Sequence, residues 1–398
     1  MKAAVVILNW NTKDYLRRFL PGVLASAGVS DGSATSGTGL DKTVAETPAG
    51  SLSPVEGPEQ SKCQSHIDVI VADNGSTDGS VEVLREEFPQ VRTVLLDKNY
   101  GFAGGYNKAL EQIPEYDVFI LLNTDIEVSP GWIEPLLSHL ESHPGCAACS
   151  PKILSYADRT KFEYAGAAGG YLDRFGFPYC RGRILGKIET DRGQYDTPED
   201  VMWVSGACMA IRGKAFFGAG GFDGRFFAHM EEIDLCWRLQ LQGWTVTALP
   251  STGIYHIGGG TLGQTSPFKL KLNFRNNLLM LSNNLAKTLA SRKAASGIPT
   301  YKAASAGLRG ASAMIMLRKA IDLMAAAAYL LTFKAGKAKA VLQAHREYRA
   351  LKTAPSRKKL ETWLEGTARH PYIKGLKNTY LLIEYLKKLF KIYWSKIL

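Results

Sequence analysis

Cysteine is scarce in this chain, with six in 398 residues, too few for the disulfide framework on which small secreted domains depend. Long apolar runs are missing too. The best candidate, residues 311–333, is broken by Arg318, Lys319 and Asp322, so no stretch of about 18 apolar residues offers a membrane-spanning helix. The opening Met-Lys-Ala-Ala-Val-Val-Ile-Leu-Asn-Trp has neither the apolar length nor the small-residue cleavage site of a secretory leader. These absences predict a protein of the reducing cytoplasm. Acidic residues thin out toward one end: from Tyr301 onward there are 20 Lys and Arg against 5 Asp and Glu, whereas the preceding residues carry 28 against 32. The formal charge of +11 thus resides in the tail, which suits an anionic surface.

What is present is 45% hydrophobic residues, enough for a large core. Apolar runs rich in Val, Ile and Leu at residues 3–8, 67–72, 91–96 and 118–122 predict buried strands, and helical spacing at 14–24, 80–88 and 104–113 predicts helices between them. This alternation predicts an α/β fold, a mostly parallel sheet flanked by helices with ligands bound beyond the carboxyl ends of the strands. Residues 28–65, rich in Gly, Ser, Thr and Pro, read as an inserted flexible loop. From Pro267 onward helical periodicity and basic residues take over, so residues 1–264 are expected to form a catalytic domain and 265–398 a helical, basic region.

Four polar clusters fall at strand exits and would converge along one edge. They are Asn9-Trp-Asn11, Asp73-Asn-Gly-Ser76, the Asn99–Asn107 stretch with Gly101, Gly104 and Gly105, and Asn123-Thr-Asp125. The last puts two oxygen-bearing side chains on one side of an extended segment, either as a turn ending the strand or as ligands of a hard divalent ion that also holds a diphosphate. Asp73 either closes a turn or accepts from the N–H of a pyrimidine base. The glycines after Asn99 suggest a backbone cradle for phosphate at a helix N-terminus. Further on, Phe226–Arg238 crowds Glu231, Glu232 and Asp234 onto one turn. Adjacent carboxylates repel, which lifts the pKa of at least one of them and points to proton-transfer chemistry or to a helix N-terminus that welcomes acids. His139, His143, Cys146 and Cys149 have spacings zinc could use, but Pro144 and Gly145 interrupt them and free thiols are the better reading.

In order and spacing, Val5-Val-Ile-Leu-Asn-Trp-Asn11, Asp73-Asn-Gly-Ser-Thr-Asp78, Asn99-Tyr-Gly-Phe-Ala-Gly-Gly105, Leu121-Leu-Asn-Thr-Asp125, Trp203-Val-Ser-Gly-Ala207 and Gly221-Phe-Asp before the acidic cluster resemble the inverting family 2 glycosyltransferases of GT-A fold. The likeness is greatest to rhamnosyltransferase-like bacterial members. The resemblance implies transfer of a sugar, with rhamnose the nearest guess, from a nucleotide-diphosphate donor to a hydroxyl of a saccharide or lipid-linked saccharide in cell-surface polysaccharide synthesis.

It implies a donor site of Asn9, Asn11, Asp73, Asn99, Gly101, Asn107, Asn123 and Asp125, with Asp73 on the base. A Mg²⁺ or Mn²⁺ ion would be held by Asp125, Asn123 and His256, Asp125 being the principal ligand because Asn123 stands where many relatives have Asp. Glu232 stands at the catalytic base, with Glu231 and Asp234 as neighbours that raise its pKa. Trp203 would offer a flat face to the acceptor, or else belong to the core. Residues 380–398 interleave Lys387, Lys388, Lys391 and Lys396 with aromatic and aliphatic groups, reading either as a helix at an anionic membrane surface or as one packed on the domain. The protein would then lie in the cytoplasm, peripheral to the inner face of the membrane. A nucleotidyltransferase would need a basic glycine loop after the first strand, which is missing. A catalytically inactive sugar-binding module fits poorly with the retained Glu232, Asp125 and His256. No nucleic-acid module is recognisable, and oligomeric state is not readable.

Overall fold

The structure, a computed structural model, describes residues 1–29, 67–164, 166–184, 186–258, 266–353, 355–366 and 373–377. Nearly all of the expected 28–65 insertion and the whole 380–398 segment lie outside the described residues.

Strand β1 (Ala3–Asn9) shows why its sequence is continuously apolar. Ala4 and Val6 enter one core while Ala3, Val5 and Ile7 enter another on the opposite face, as the period of two requires when both faces are covered. Helix α1 (Lys13–Ser26), strand β2 (Ile67–Asp73), helix α2 (Ser80–Glu87), strand β3 (Arg92–Leu95), helix α3 (Gly101–Glu111) and strand β4 (Val118–Asn123) follow in alternation. β1 pairs in parallel with both β2 and β4, and β2 with β3. The expected α/β pattern is therefore present.

Beyond it come β5 (Ile126–Val128), α4 (Glu134–Ser142), β6 (Cys146–Ser155), and four short strands, β7 (Gly170–Leu172), β8 (Pro178–Cys180), β9 (Arg183–Ile184) and β10 (Lys187–Ile188). The chain continues through β11 (Glu199–Asp200), β12 (Cys208–Arg212), α5 (Gly213–Gly218), α6 (Glu231–Leu241) and β13 (Thr245–His256). The main sheet has nine strands in the order β11-β13-β6-β12-β4-β1-β2-β3, with β5 pairing β13 at the side. β12 runs antiparallel between β4 and β6, so the sheet is mixed in its second half. β7 to β10 form a separate antiparallel sheet of four strands.

Helices α7 (Pro267–Ala295), α8 (Thr300–Leu331), α9 (Ala335–Leu351) and α10 (Arg357–Gly366) complete the described chain. They are not an appendage. Leu278, Leu279, Met280 and Leu285 of α7 share one core with Phe226, Leu235 and Trp237, and Trp237 Nε1 donates to Thr288 Oγ1 at 2.9 Å. The change in sequence pattern near residue 264 thus divides two kinds of secondary structure built around a common core.

Candidate active site

The exits of β1 and β2 are tied together by their own polar residues. Asn9, fully buried, donates from Nδ2 to Asp73 Oδ2 at 2.8 Å and to Ser76 Oγ at 3.1 Å, and accepts from Thr12 Oγ1 at 2.6 Å. Asp73 also accepts from the Ser76 amide at 2.8 Å. Asn11 adopts a left-handed φ of 53° and accepts from the Thr77 amide at 2.8 Å. Asn9, Asn11 and Asp73 therefore fix the shape of the β1 and β2 exits. Asp73 is 2% exposed, which leaves little of its carboxylate open to a base.

The phosphate cradle expected at Asn99–Asn107 is not formed. The amides of Phe102 and Ala103, at the start of α3, donate to the Phe227 carbonyl at 2.7 and 3.2 Å, so the orphan donors that would grip an anion are already satisfied. Asn99 Oδ1 accepts from the Gly101 amide at 2.7 Å. Gly101 has a φ of +72°, and a Cβ there would come within 2.5 Å of the Phe227 ring, so this glycine serves the close approach of the Phe227 loop. Asn107 is likewise occupied, pairing with both the amide and the carbonyl of Phe222 at 2.9 and 2.8 Å. Sequence reasoning placed these residues correctly along the chain, but their partner is a loop more than a hundred residues away.

Asp125 and His256 meet as expected. His256 Nε2 lies 3.1 Å from Asp125 Oδ1, and its Nδ1 lies 3.5 Å from Glu163 Oε1. Burial alone would lower the imidazole's pKa, but the two carboxylates outweigh it and push it up to about 10. Burial alone would raise Asp125, and its bond to His256 brings it below the usual carboxylate range. Glu163 was missed from sequence because nothing in its surroundings forms a motif.

The donor chemistry fits a divalent ion. A carboxylate and an imidazole 3.1 Å apart match two adjacent ligands of an octahedral ion with bonds of about 2.1 Å, and Glu163 stands where a carboxylate orients a ligating histidine. No group of three His, Cys, Asp or Glu among the described residues could hold an ion by itself.

The acidic cluster sits on a strained loop. Phe227, His229 and Met230 have φ of 64°, 69° and 72°, conformations that cost bulky residues about 1–3 kcal/mol each and persist only when surrounding contacts impose them. Those contacts come from α7. Asn276 Nδ2 donates to the carbonyls of Phe226, Ala228 and His229 at 2.9, 2.8 and 2.7 Å, and Arg275 donates to Phe226 O at 2.8 Å.

Glu231 and Glu232 open α6 at the end of this loop, and each keeps an enclosed Oε2 with no hydrogen-bond partner. Burial, reinforced by Glu232, pushes Glu231 well above the usual range. Burial pushes Glu232 up to about 7 against the backbone donors of the helix start. Only Glu232 of the two retains appreciable exposure.

Asp234 is different. It is fully buried and accepts from Arg238 Nε at 2.7 Å, Asn283 at 2.9 Å and Asn284 at 2.8 Å. It clamps α6 to α7 and has no edge left for chemistry, which corrects its assignment to the catalytic set. Of the two readings of Trp203 the structure has the core one, not the acceptor face: it is 3% exposed, donates from Nε1 to Tyr171 O at 3.2 Å and lies against Gly170. His139 and His143 stack with centroids 4.1 Å apart, while the buried thiols of Cys146 and Cys149 donate to Ala148 O and Leu136 O.

The two acidic centres share one end of the sheet. Gly206 packs against the Glu232 side chain, and the next carbonyl, of Ala207, accepts from the Asn123 amide at 2.9 Å. The Cys180 thiol senses the charge of both Glu163 and Glu232. Lys269 at the start of α7 senses Glu163 and lowers His229, whose burial already brings it down to about 4. A cation and a neutral imidazole thus join the site, neither flagged by a sequence motif.

A model of the glycosyl transferase family 2 matches residues 59–216, the span that carries the exits at Asp73, Asn99 and Asn123 and the 203–207 segment, with Asn9, Glu232 and His256 outside it. That span is therefore similar to family 2 glycosyl transferases. The chain is 28% identical over 234 residues to the N-acetylglucosaminyl-diphospho-decaprenol L-rhamnosyltransferase of Mycobacterium tuberculosis, covering 54% of the present chain and 75% of that protein. It is 27% identical over 165 residues to the rhamnosyltransferase WbbL of Escherichia coli, covering 39% of this chain and 61% of the other. Among solved structures, Staphylococcus aureus TarS 1–349 in complex with UDP-GlcNAc aligns over 88% of this chain and 92% of TarS, with a TM-score of 0.45 and 13% identity.

Proposed function

We propose that the enzyme moves a hexosyl group, rhamnose in the first instance, from a nucleotide-diphosphate donor to a hydroxyl of a lipid-linked saccharide, with inversion, during cell-surface polysaccharide synthesis. The rhamnosyl transfer named for both relatives and the diphosphate-linked lipid acceptor named for the mycobacterial one support the sugar and the acceptor. The observation that carries the chemistry is Glu232: a carboxylate with an enclosed, unpartnered oxygen, on an over-determined loop, beside the segment that pairs with Asn123.

Glu232 takes the proton of the acceptor hydroxyl while that oxygen bonds to the anomeric carbon. The bond from that carbon to the donor phosphate breaks on the opposite face, and the nucleoside diphosphate leaves with the electron pair. Asp125 and His256, with the Asn123 amide oxygen, would hold a Mg²⁺ or Mn²⁺ ion, which when bound supplies Lewis-acid stabilisation to the diphosphate. Lys269 adds a positive charge on the same side, and Glu163 keeps the His256 ring turned toward Asp125. Burial raises the pKa of Glu231 well above the usual range, which disfavours a second negative charge beside the base.

In the variant Glu232→Gln, transfer should fall by about 10³-fold, within the range for loss of a general base, while the donor still raises the melting temperature. Turnover within a few fold of the parent enzyme would remove Glu232 from this role. Screening thymidine, uridine and guanosine diphosphate sugars by thermal shift identifies the donor, since a ligand bound only to the folded state raises apparent stability.

A further inference from the structure

Helix α8 is turned inside out. Its charged pair, Arg318 and Asp322, is buried, with Arg318 Nε donating to Asp322 Oδ1 at 2.8 Å and His345 Nε2 3.2 Å from Asp322 Oδ2. Leu308, Met314, Ile315 and Tyr329 pack inward, but six other large apolar residues point outward. Met316, Leu317, Leu323, Met324, Leu330 and Leu331 recur at helical spacing on one face and are 47–81% exposed. From Met316 to Leu331 this stripe runs about 22 Å at 1.5 Å per residue. At its end Phe333 is 97% exposed and holds a left-handed φ of 56°, a strained position for an aromatic with no contact to reward it. A contiguous exposed apolar face of this length marks an interaction surface.

We propose that this face lies on an anionic lipid bilayer, with Phe333 as an inserted anchor. The charge at both ends selects that partner. Lys302 and Arg309 stand exposed before the stripe, and Lys334 and Lys339 after it, placing cations at headgroup level around an apolar band. A second copy of the chain fits less well, because a two-fold pairing of the stripe in either direction sets basic flank against basic flank. Spanning is ruled out on different grounds: no described helix is long and apolar enough to cross a membrane, and the buried Arg318–Asp322 pair fixes the inner face of α8 to α7 and α9. The contact is distinct from residues 380–398 and from the transfer chemistry, though docking would bring the active site to a lipid-linked acceptor.

The test is co-sedimentation of the full chain with vesicles of phosphatidylcholine containing phosphatidylglycerol, and with phosphatidylcholine alone. The parent should prefer the anionic vesicles. The double variant Leu330→Glu/Phe333→Asp should bind them at least about tenfold more weakly, and Lys334→Glu/Lys339→Glu should lose the preference for anionic lipid. All of these side chains are exposed, so melting temperature and transfer to a soluble acceptor should be unchanged, separating failure of the surface from failure of the enzymatic reading. Wild-type indifference to vesicles, equal binding by the Leu330/Phe333 variant, or a dimer in ultracentrifugation that this variant converts to monomer without altering vesicle binding would each overturn the proposal.

Discussion

Glu232 begins a helix whose dipole and terminal amides favour its anion, yet burial outweighs them and holds its pKa up at about 7. A general base acts as the carboxylate, so kcat/KM should be roughly flat above pH 8 and fall about tenfold per unit below pH 7. A plateau extending down to pH 5 would mean an ordinary carboxylate does the work. Stability carries the opposite sign. A carboxyl whose folded pKa exceeds its unfolded value keeps its proton on folding, so stability is greatest at and below the unfolded value near 4.5, declines through the window up to 7, and stays lowered above it. Glu232→Gln removes that penalty, at most about 3 kcal/mol. Its melting temperature should exceed the parent's at pH 8 and converge with it toward pH 5, while activity is lost. The crowding of acids was legible in sequence. That Asp234 is spent on packing was not, because Asn283 and Asn284, which consume its lone pairs, lie some fifty residues onward on another helix.

At the scale of elements, the loop between Gly224 and Glu231 is held from outside, by Asn276 and Arg275 of α7. Asn276→Ala leaves the carbonyls of Ala228 and His229 without this donor, while Phe226 O keeps Arg275. A stability loss of about 2 kcal/mol is expected, together with a kcat decrease of at least about tenfold. Affinity for the donor diphosphate, whose proposed contacts lie at Asp125 and His256, should hold. The pH midpoint of kcat/KM should also move down, toward an ordinary Glu, as the pocket around Glu232 loosens; a purely structural role would leave that midpoint in place. At the opposite wall, Mn²⁺ plus nucleoside diphosphate should raise the melting temperature of the parent and not of Asp125→Ala, and an equal rise in both would place the ion elsewhere. The first four strands and the three helices between them were readable because burial on a period of two or 3.6 leaves its mark in a single segment, whereas β5 to β13 were not placed. The start of α3 at Gly101, and the failure of Asn99–Asn107 to form an anion cradle, were not, since both depend on the Phe227 carbonyl reaching across from a remote loop. Glu163 and Lys269 were invisible for the same reason.

At the scale of the molecule, the shift in sequence character near residue 264 invites a cut that the packing forbids. Removing everything after residue 264 would expose Trp237 and Phe226, fully buried now, and strand the Asp234 and Arg238 pair beside solvent. It would also release the strained 227–230 backbone from Asn276. Each loss alone is tolerable, at roughly 2–5 kcal/mol for core exposure or an opened buried ion pair, but together they are comparable to a typical folding free energy of about 5–15 kcal/mol. A fragment of residues 1–264 should therefore show no cooperative thermal transition and a collapsed near-ultraviolet dichroism signal, whereas the full chain melts in one step. Should the fragment melt cooperatively and still bind a nucleotide sugar, α7 to α10 would be a separable domain and the loop geometry at Glu232 would have to come from the α/β part alone. The physical reason to expect otherwise is that the loop's own turn bonds, from Phe226 N to Asp223 O and from Ala228 N to Phe226 O, cover only part of it, while the carbonyls of Phe226, Ala228 and His229 are held by α7 and that of Phe227 by α3, so base and helical region have to fold as one unit.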